Sequence, residues 1–194
     1  MRRASKRFWL LVSLVVVAAL ATHGGWEAAG PNRVNELTLA GLRPGRDHMD
    51  RAQRISRKYA TDAERDGEAT SSEVVVQDVC HYEQLTISAR GDGTIQSVEV
   101  GRMPGAISAD CEIPLKPNSW VTGRGLRYRD ACGRIEEIYG KAESRSPSVK
   151  GSDKLELYLY TFDWAGPNVP QVMEVSCDAG TQTVTEITLA ASSL

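Results

Sequence analysis

Gly41-Leu42-Arg43 and Gly125-Leu126-Arg127 stand 84 residues apart, and each opens the same order of patterns. After the first come an amphipathic stretch from Asp47 to Tyr59, a polar loop at Thr61–Ser72, and β-type runs at Glu73–Val79, Gln84–Ala89 and Thr94–Val100. After the second come a stretch from Asp130 to Tyr139, a polar loop at Glu143–Asp153, and runs at Lys154–Trp164, Gln171–Cys177 and Thr183–Leu189. The last two runs of each series are joined by glycine turns, Gly91-Asp92-Gly93 and Asp178-Ala179-Gly180. Self-similarity of this kind constrains a fold more than any single motif does. The expectation is an α+β protein of two tandem helix-plus-antiparallel-sheet repeats, with the helices packed on one face of the sheets. The first repeat spans 36–100 and the second 119–194, with a proline-bearing connector at 101–118.

Periodicity carries the helices. Met49, Ala52, Ile55 and Tyr59 recur at steps of three and four, as do Ala131, Ile135, Ile138 and Tyr139, and such spacing lines one face. Asp47 and Asp130 fit as N-caps, and Gly140 stands where a left-handed C-cap belongs. Alternation carries the strands. Leu155, Leu157 and Leu159 alternate with Glu156, Tyr158 and Tyr160, and Leu85, Ile87 and Ala89 alternate with Thr86 and Ser88. Ile95, Val98 and Val100 break step, which places a bulge near Ser97.

Arg2, Arg3, Lys6 and Arg7 precede a fourteen-residue run from Phe8 to Ala21 broken only by Ser13. The run is short for a membrane span, which takes about 20 apolar residues. Ala19-Leu20-Ala21 offers small residues for signal peptidase. Residues 1–21 therefore read as a signal peptide cleaved after Ala21, with 22–35 a linker. An uncleaved signal-anchor, with Trp26 at the membrane interface, is the competing reading. Both place the rest of the chain outside the cytosol, in a periplasmic or secreted setting. Cleavage removes four of the 23 cations and none of the 25 acids, so the remainder carries a net charge of −6. That balance argues against nucleic acid as a partner. It leaves a membrane role only to an uncleaved N-terminal segment.

Cys80, Cys111, Cys132 and Cys177 are an even set in an exported chain, which reads as two disulfides. Three pairings are open, and Cys80–Cys111 with Cys132–Cys177 keeps each bridge near one unit. No two cysteines have metal-ligand spacing, so no metal is expected. No cofactor is expected, and no catalytic residue can be named. His23, His48 and His81 have no nucleophile to serve, and there is no Gly-x-Ser-x-Gly or His-Glu-x-x-His motif. Glu136-Glu137 and Asp62, Glu64 and Asp66 read as solvated charge.

Arg51, Arg54 and Lys58 lie at helical spacing and make the chain's one basic stripe, a candidate contact for an anionic partner. The plainer reading is a solvent-facing helix surface. Trp164, before Ala165-Gly166-Pro167, is a second candidate contact, because an aromatic at a strand end can anchor a partner. Covering a core edge is the alternative, for it as for Trp120 and Tyr160.

Gly125-Leu126-Arg127, Ala131, Ile138 and Tyr139-Gly140-Lys141-Ala142 resemble the motif of outer-membrane assembly lipoproteins of the BamE/SmpA type. Tandem copies of that module are similar to the β-lactamase inhibitor protein architecture. Ala142 stands where that family has proline, the first copy lacks the terminal glycine, and no cysteine precedes Cys80 to carry a lipid. The resemblance implies a fold, and binding rather than catalysis; it carries over no functional residues. The function expected is that of an exported, non-enzymatic protein-interaction module, an envelope assembly accessory or inhibitor-like binder. A lipid- or small-molecule-binding protein is the alternative, and a hydrolase ranks last.

Overall fold

The computed structural model describes residues 36–59, 65–69, 72–79, 81–104, 120–166 and 169–191, excluding the side chains of 56–59, 65–69, 163–166 and 169. The N-terminal leader, Cys80, Cys111 and most of the proposed connector lie outside the described residues. Within them, two helices and eight strands follow in order: α1 (Met49–Tyr59), β1 (Arg65–Ala69), β2 (Glu73–Asp78), β3 (Glu83–Ala89), β4 (Ile95–Arg102), α2 (Gly133–Tyr139), β5 (Ser144–Lys150), β6 (Asp153–Gly166), β7 (Val169–Asp178) and β8 (Val184–Ala191). No helix among the described residues is long and apolar enough to cross a membrane.

All eight strands belong to one antiparallel sheet in the order β1-β2-β3-β4-β8-β7-β6-β5. This corrects the expectation of two tandem helix-plus-sheet repeats. The decisive contact is β4 against β8, where Val98 faces Leu189 and Val100 faces Ile187. Left apart, the two strands would each expose an unpaired edge. Paired, they make one sheet, and Arg33–Leu194 forms one compact unit. The helices are also too short to define repeats: α2 has seven residues and buries Ile135.

The two segments read as polar loops contain the outermost strands of the sheet. β1 (Arg-Asp-Gly-Glu-Ala) and β5 (Ser-Arg-Ser-Pro-Ser-Val-Lys) lack the apolar alternation of a half-buried strand. They become extended because β2 and β6 offer them free hydrogen-bonding edges. Charge and proline suit such positions, since they discourage another chain from adding on.

One face of the sheet is the core. Val74 and Val76, Leu85 and Ile87, Val98 and Val100, Ile187 and Leu189, and Met173 and Val175 all lie on it, fully buried. Met49 and Ala52 of α1 join the same core, and α1 packs against β1 and β2. Tyr139 of α2 meets Tyr160 at 5.5 Å and Phe162 at 6.2 Å between ring centroids, both on β6. The bulge near Ser97 is present: Ser88 pairs with Ser97 and Ala89 with Ile95, so Gln96 is the extra residue.

The expected aspartate caps turn the other way. Asp47 accepts the Arg43 N–H and the Arg51 guanidinium, and Asp130 accepts the Arg127 N–H. Each carboxylate thus closes the turn before its helix rather than capping the helix amides, and Cys132 precedes α2 without a side-chain cap. Gly140 follows α2 with a φ of 75°, but its ψ of −168° is extended and not that of the left-handed cap expected; its N–H closes the helix on the Glu136 carbonyl.

Cys132 and Cys177 are bonded, one of the two pairings expected, and the bridge ties the start of α2 to β7. It closes a loop of 45 residues. Replacing both cysteines with serine is expected to cost about 4 kcal/mol, the loop-closure entropy returned to the unfolded chain, read as a shift in urea midpoint. Ile187→Ala, at the centre of the β4–β8 seam, is expected to cost about 3 kcal/mol. Thr188→Ala, on the opposite face, should stay within about 0.5 kcal/mol. A chain built on one sheet should lose both halves of its circular-dichroism signal in a single transition in the Ile187→Ala protein; two separated transitions would contradict the shared core.

Candidate functional site

The face of the sheet away from the core is polar over its centre, with Thr86 on β3, Ser97 and Glu99 on β4, Glu186 and Thr188 on β8, and Glu174 and Ser176 on β7, and carries Val75 on β2 and Leu157 and Leu159 on β6. One ion pair shows how this face is shaped. Lys150 Nζ on β5 lies 2.7 Å from Glu186 Oε2 on β8, although β6 and β7 run between them. Three strand spacings amount to about 14 Å. Side chains standing off a flat sheet could not close that gap. The sheet therefore curls at this end, as strand twist allows, and its polar face is concave there.

The concavity is an open cleft of about 900 Å³. Its floor is formed by Gln84, Glu99, Glu186, Ser176 and Leu155, and its rim includes Tyr82, Arg102, Met103, Tyr128, Arg129 and Thr181. Gly101 lets Glu186 lie close against β4: a Cβ there would stand 3.3 Å from Glu186 Cγ and 3.4 Å from the Thr185 carbonyl. On the rim, the Arg129 guanidinium lies 5.3 Å from the Tyr128 ring and 5.9 Å from that of Tyr82. Such stacking holds an arginine head in place without neutralising it. Tyr82 is 42% exposed, an uncommon amount for a large apolar side chain among the described residues.

The charges on the floor are unevenly matched. Glu186 is bonded to Lys150, and that bond holds the Lys150 ammonium above its ordinary range. The Glu99 carboxylate accepts no hydrogen bond from any described residue. Loss of solvent and then the neighbouring Glu186 charge push its carboxyl upward, partly offset by Lys150. Asp178 is otherwise engaged, because its Oδ1 accepts the Gly180 and Thr181 N–H groups of the β7–β8 turn, which lowers its pKa. A half-desolvated carboxylate with a like charge beside it favours an incoming cation.

The residues singled out from sequence lie elsewhere. Arg51 and Arg54 sit on α1, each paired with an aspartate one turn earlier, Asp47 at 3.1 Å and Asp50 at 2.8 Å, and Arg51 also donates to the Gly41 carbonyl. The side chains of Lys58 and Trp164 lie outside the described residues. Trp120 and Tyr160 are buried in the core, where Tyr160 donates to the Gly140 carbonyl. His81 pairs with the buried Asp78 at 2.9 Å, and Glu136 and Glu137 are exposed on α2. Nothing in their spacing marked Glu99, Lys150 and Glu186 as neighbours. Gly101, read from sequence as the first residue of the connector, lies inside β4, where a glycine marks a close approach.

No protein-family model matches the chain, and no curated protein matches it. Among solved structures it is similar to a DUF4309 family protein (YjgB) from Bacillus subtilis subsp. subtilis str. 168, at 12% identity and a TM-score of 0.39, over 84% of this chain and 86% of that one. A likeness of that size carries no argument about fold or activity.

A second polar group is buried beneath the sheet. Glu36 is 1% exposed and accepts hydrogen bonds from the Gly123 N–H at 2.7 Å and the Tyr139 hydroxyl at 2.9 Å. Thr122 Oγ1 in turn lies 2.6 Å from that hydroxyl and accepts the Leu126 N–H. Arg124 stands 3.8 Å from Glu36 and 5.0 Å from the Tyr139 ring centroid. Glycine at position 123 lets the Glu36 carboxylate close on this backbone, since a Cβ would fall 2.5 Å from Glu36 Oε1. With every partner supplied by the chain itself, the cluster serves as a clamp between the Glu36–Leu42 segment and α2. Burial outweighs the hydrogen bonds and Arg124, so the Glu36 carboxyl is raised above its ordinary 4.5.

A raised folded value means that Glu36 contributes its full stability below about pH 4.5 and loses it as pH climbs through the folded value. Glu36→Gln should abolish that loss while keeping an acceptor for Gly123. Urea midpoints at pH 4 and pH 8 should therefore diverge in the variant's favour at the higher pH. The opposite ordering would mean that Arg124 and Gly123 stabilise the anion more than burial penalises it.

Proposed function

We propose that this chain is an exported, non-enzymatic binding module, and that a partner protein occupies the cleft on the concave polar face. The observation that carries the reading is the cleft itself, about 900 Å³ and open, with a rim of Tyr82, Tyr128 and Arg129. Tyrosine and arginine on a rigid frame are the residue types that dominate binding energy at interfaces. The floor is polar and charged, which suits a peptide segment or loop better than an acyl chain. Export is supported by the cationic start and short apolar run at 1–21, and it fits the Cys132–Cys177 disulfide.

The reading is tested by placing a photoreactive residue at position 181 on the rim, or at position 137 on α2, in the full chain. A single protein adduct of defined mass at 181 and none at 137 is expected. Tyr82→Ala and Arg129→Ala should each weaken that partner by more than about 1 kcal/mol, with Glu137→Ala unchanged. Equal capture at both positions, or lipid adducts at 181, would overturn it.

A further inference from the structure

Lys150 reaches across two strands to neutralise one carboxylate of the cleft floor while a second, Glu99, is left without a hydrogen-bond donor from any described residue. The Lys150 side chain is 73% exposed, so its pairing with Glu186 is of the weak, solvent-screened kind. Glu186 is 21% exposed and lies close over Gly101, where a Cβ would stand 3.3 Å from Glu186 Cγ. The floor thus holds two carboxylates on adjacent strands and one loosely held internal cation, with the open cleft above them.

We propose that the cleft floor receives a basic side chain of the partner, a lysine ammonium or an arginine guanidinium, which takes over the place of Lys150 on Glu186 and satisfies Glu99 as well. This rests on the cleft being the partner site. A charge–charge contact gains strength as water is excluded, and the floor is the less hydrated part of the cleft. Arg102 and Arg129, on the rim and exposed, act through water and are screened. They suit carbonyls or acids flanking the inserted base. Lys150 then acts as an internal competitor, holding Glu186 until a better-placed cation displaces it.

The test titrates the full chain with acetyl-Gly-Lys-Gly-amide, acetyl-Gly-Gln-Gly-amide and acetyl-Gly-Glu-Gly-amide, following backbone amide shifts by NMR. The lysine peptide should move the amides of Glu99, Gly101 and Glu186, and the other two should not. Glu99→Gln should weaken the lysine peptide at least threefold. Lys150→Met and Lys150→Gln should tighten it at least threefold, an outcome that a merely structural role for Lys150 would not give. Stronger shifts from the glutamate peptide, or unchanged or weaker binding in both Lys150 variants, would overturn the proposal. In that event a surviving rim adduct at position 181 would leave the binding reading standing, and the loss of that adduct's specificity would remove the binding reading itself.

Discussion

Five residue pairs, Ser97–Ala190 through Gly101–Glu186, hydrogen-bond β4 to β8, and the rest of the molecule is arranged around them. On the core side they bring Val98 and Val100 against Leu189 and Ile187, so the apolar residues of both halves share one buried layer. Backbone pairing and burial reinforce each other there. A strand that slipped by one residue would turn Val100 and Ile187 out to water and bring Glu99 and Thr188 in. The register of the seam is set by that penalty.

The same five pairs place Glu99, Gly101 and Glu186 together on the far face. Alternation that buries the apolar side chains delivers the acidic ones to one patch, and the absence of a side chain at Gly101 lets Glu186 lie close over β4. Curling of the sheet then brings Lys150 over from β5. Stability and the candidate site are therefore two consequences of one pairing. The buried Glu36 clamp works differently: Gly123, Tyr139 and Thr122 come from segments that only the folded chain brings together, and they serve to hold the Glu36–Leu42 segment in place.

Six of the eight strands were legible because burial on one face writes a period of two into the sequence. Runs such as Leu85-Thr86-Ile87 and Ile187-Thr188-Leu189 show it plainly. The strands at the two ends of the sheet were not legible. Arg65–Ala69 and Ser144–Lys150 answer to no such period; they are strands because a neighbour's edge recruits them. Asp47 and Asp130 were correctly placed at the helix starts and wrongly assigned as caps, since a short carboxylate reaches the preceding turn as easily as the following one. Of the residues singled out for partner contact, Arg51 and Arg54 meet aspartates on their own helix, a local pairing that a stripe of positive charge does not announce.

Local chemistry by itself determined where the six half-buried strands and the two helices form, where Gly140 ends a helix, and that Cys132 and Cys177 were available to bond. Those properties depend on neighbours within a few residues, or on a side chain's intrinsic preference. Only the tertiary structure decided that two β-rich halves become one sheet and that Tyr82, Glu99, Lys150 and Glu186 surround a common space. Strand pairing is the physical reason. Hydrogen bonds between β4 and β8 join residues almost ninety positions apart, and every edge offers the same donors and acceptors, so the choice among edges rests on the core that each one would complete.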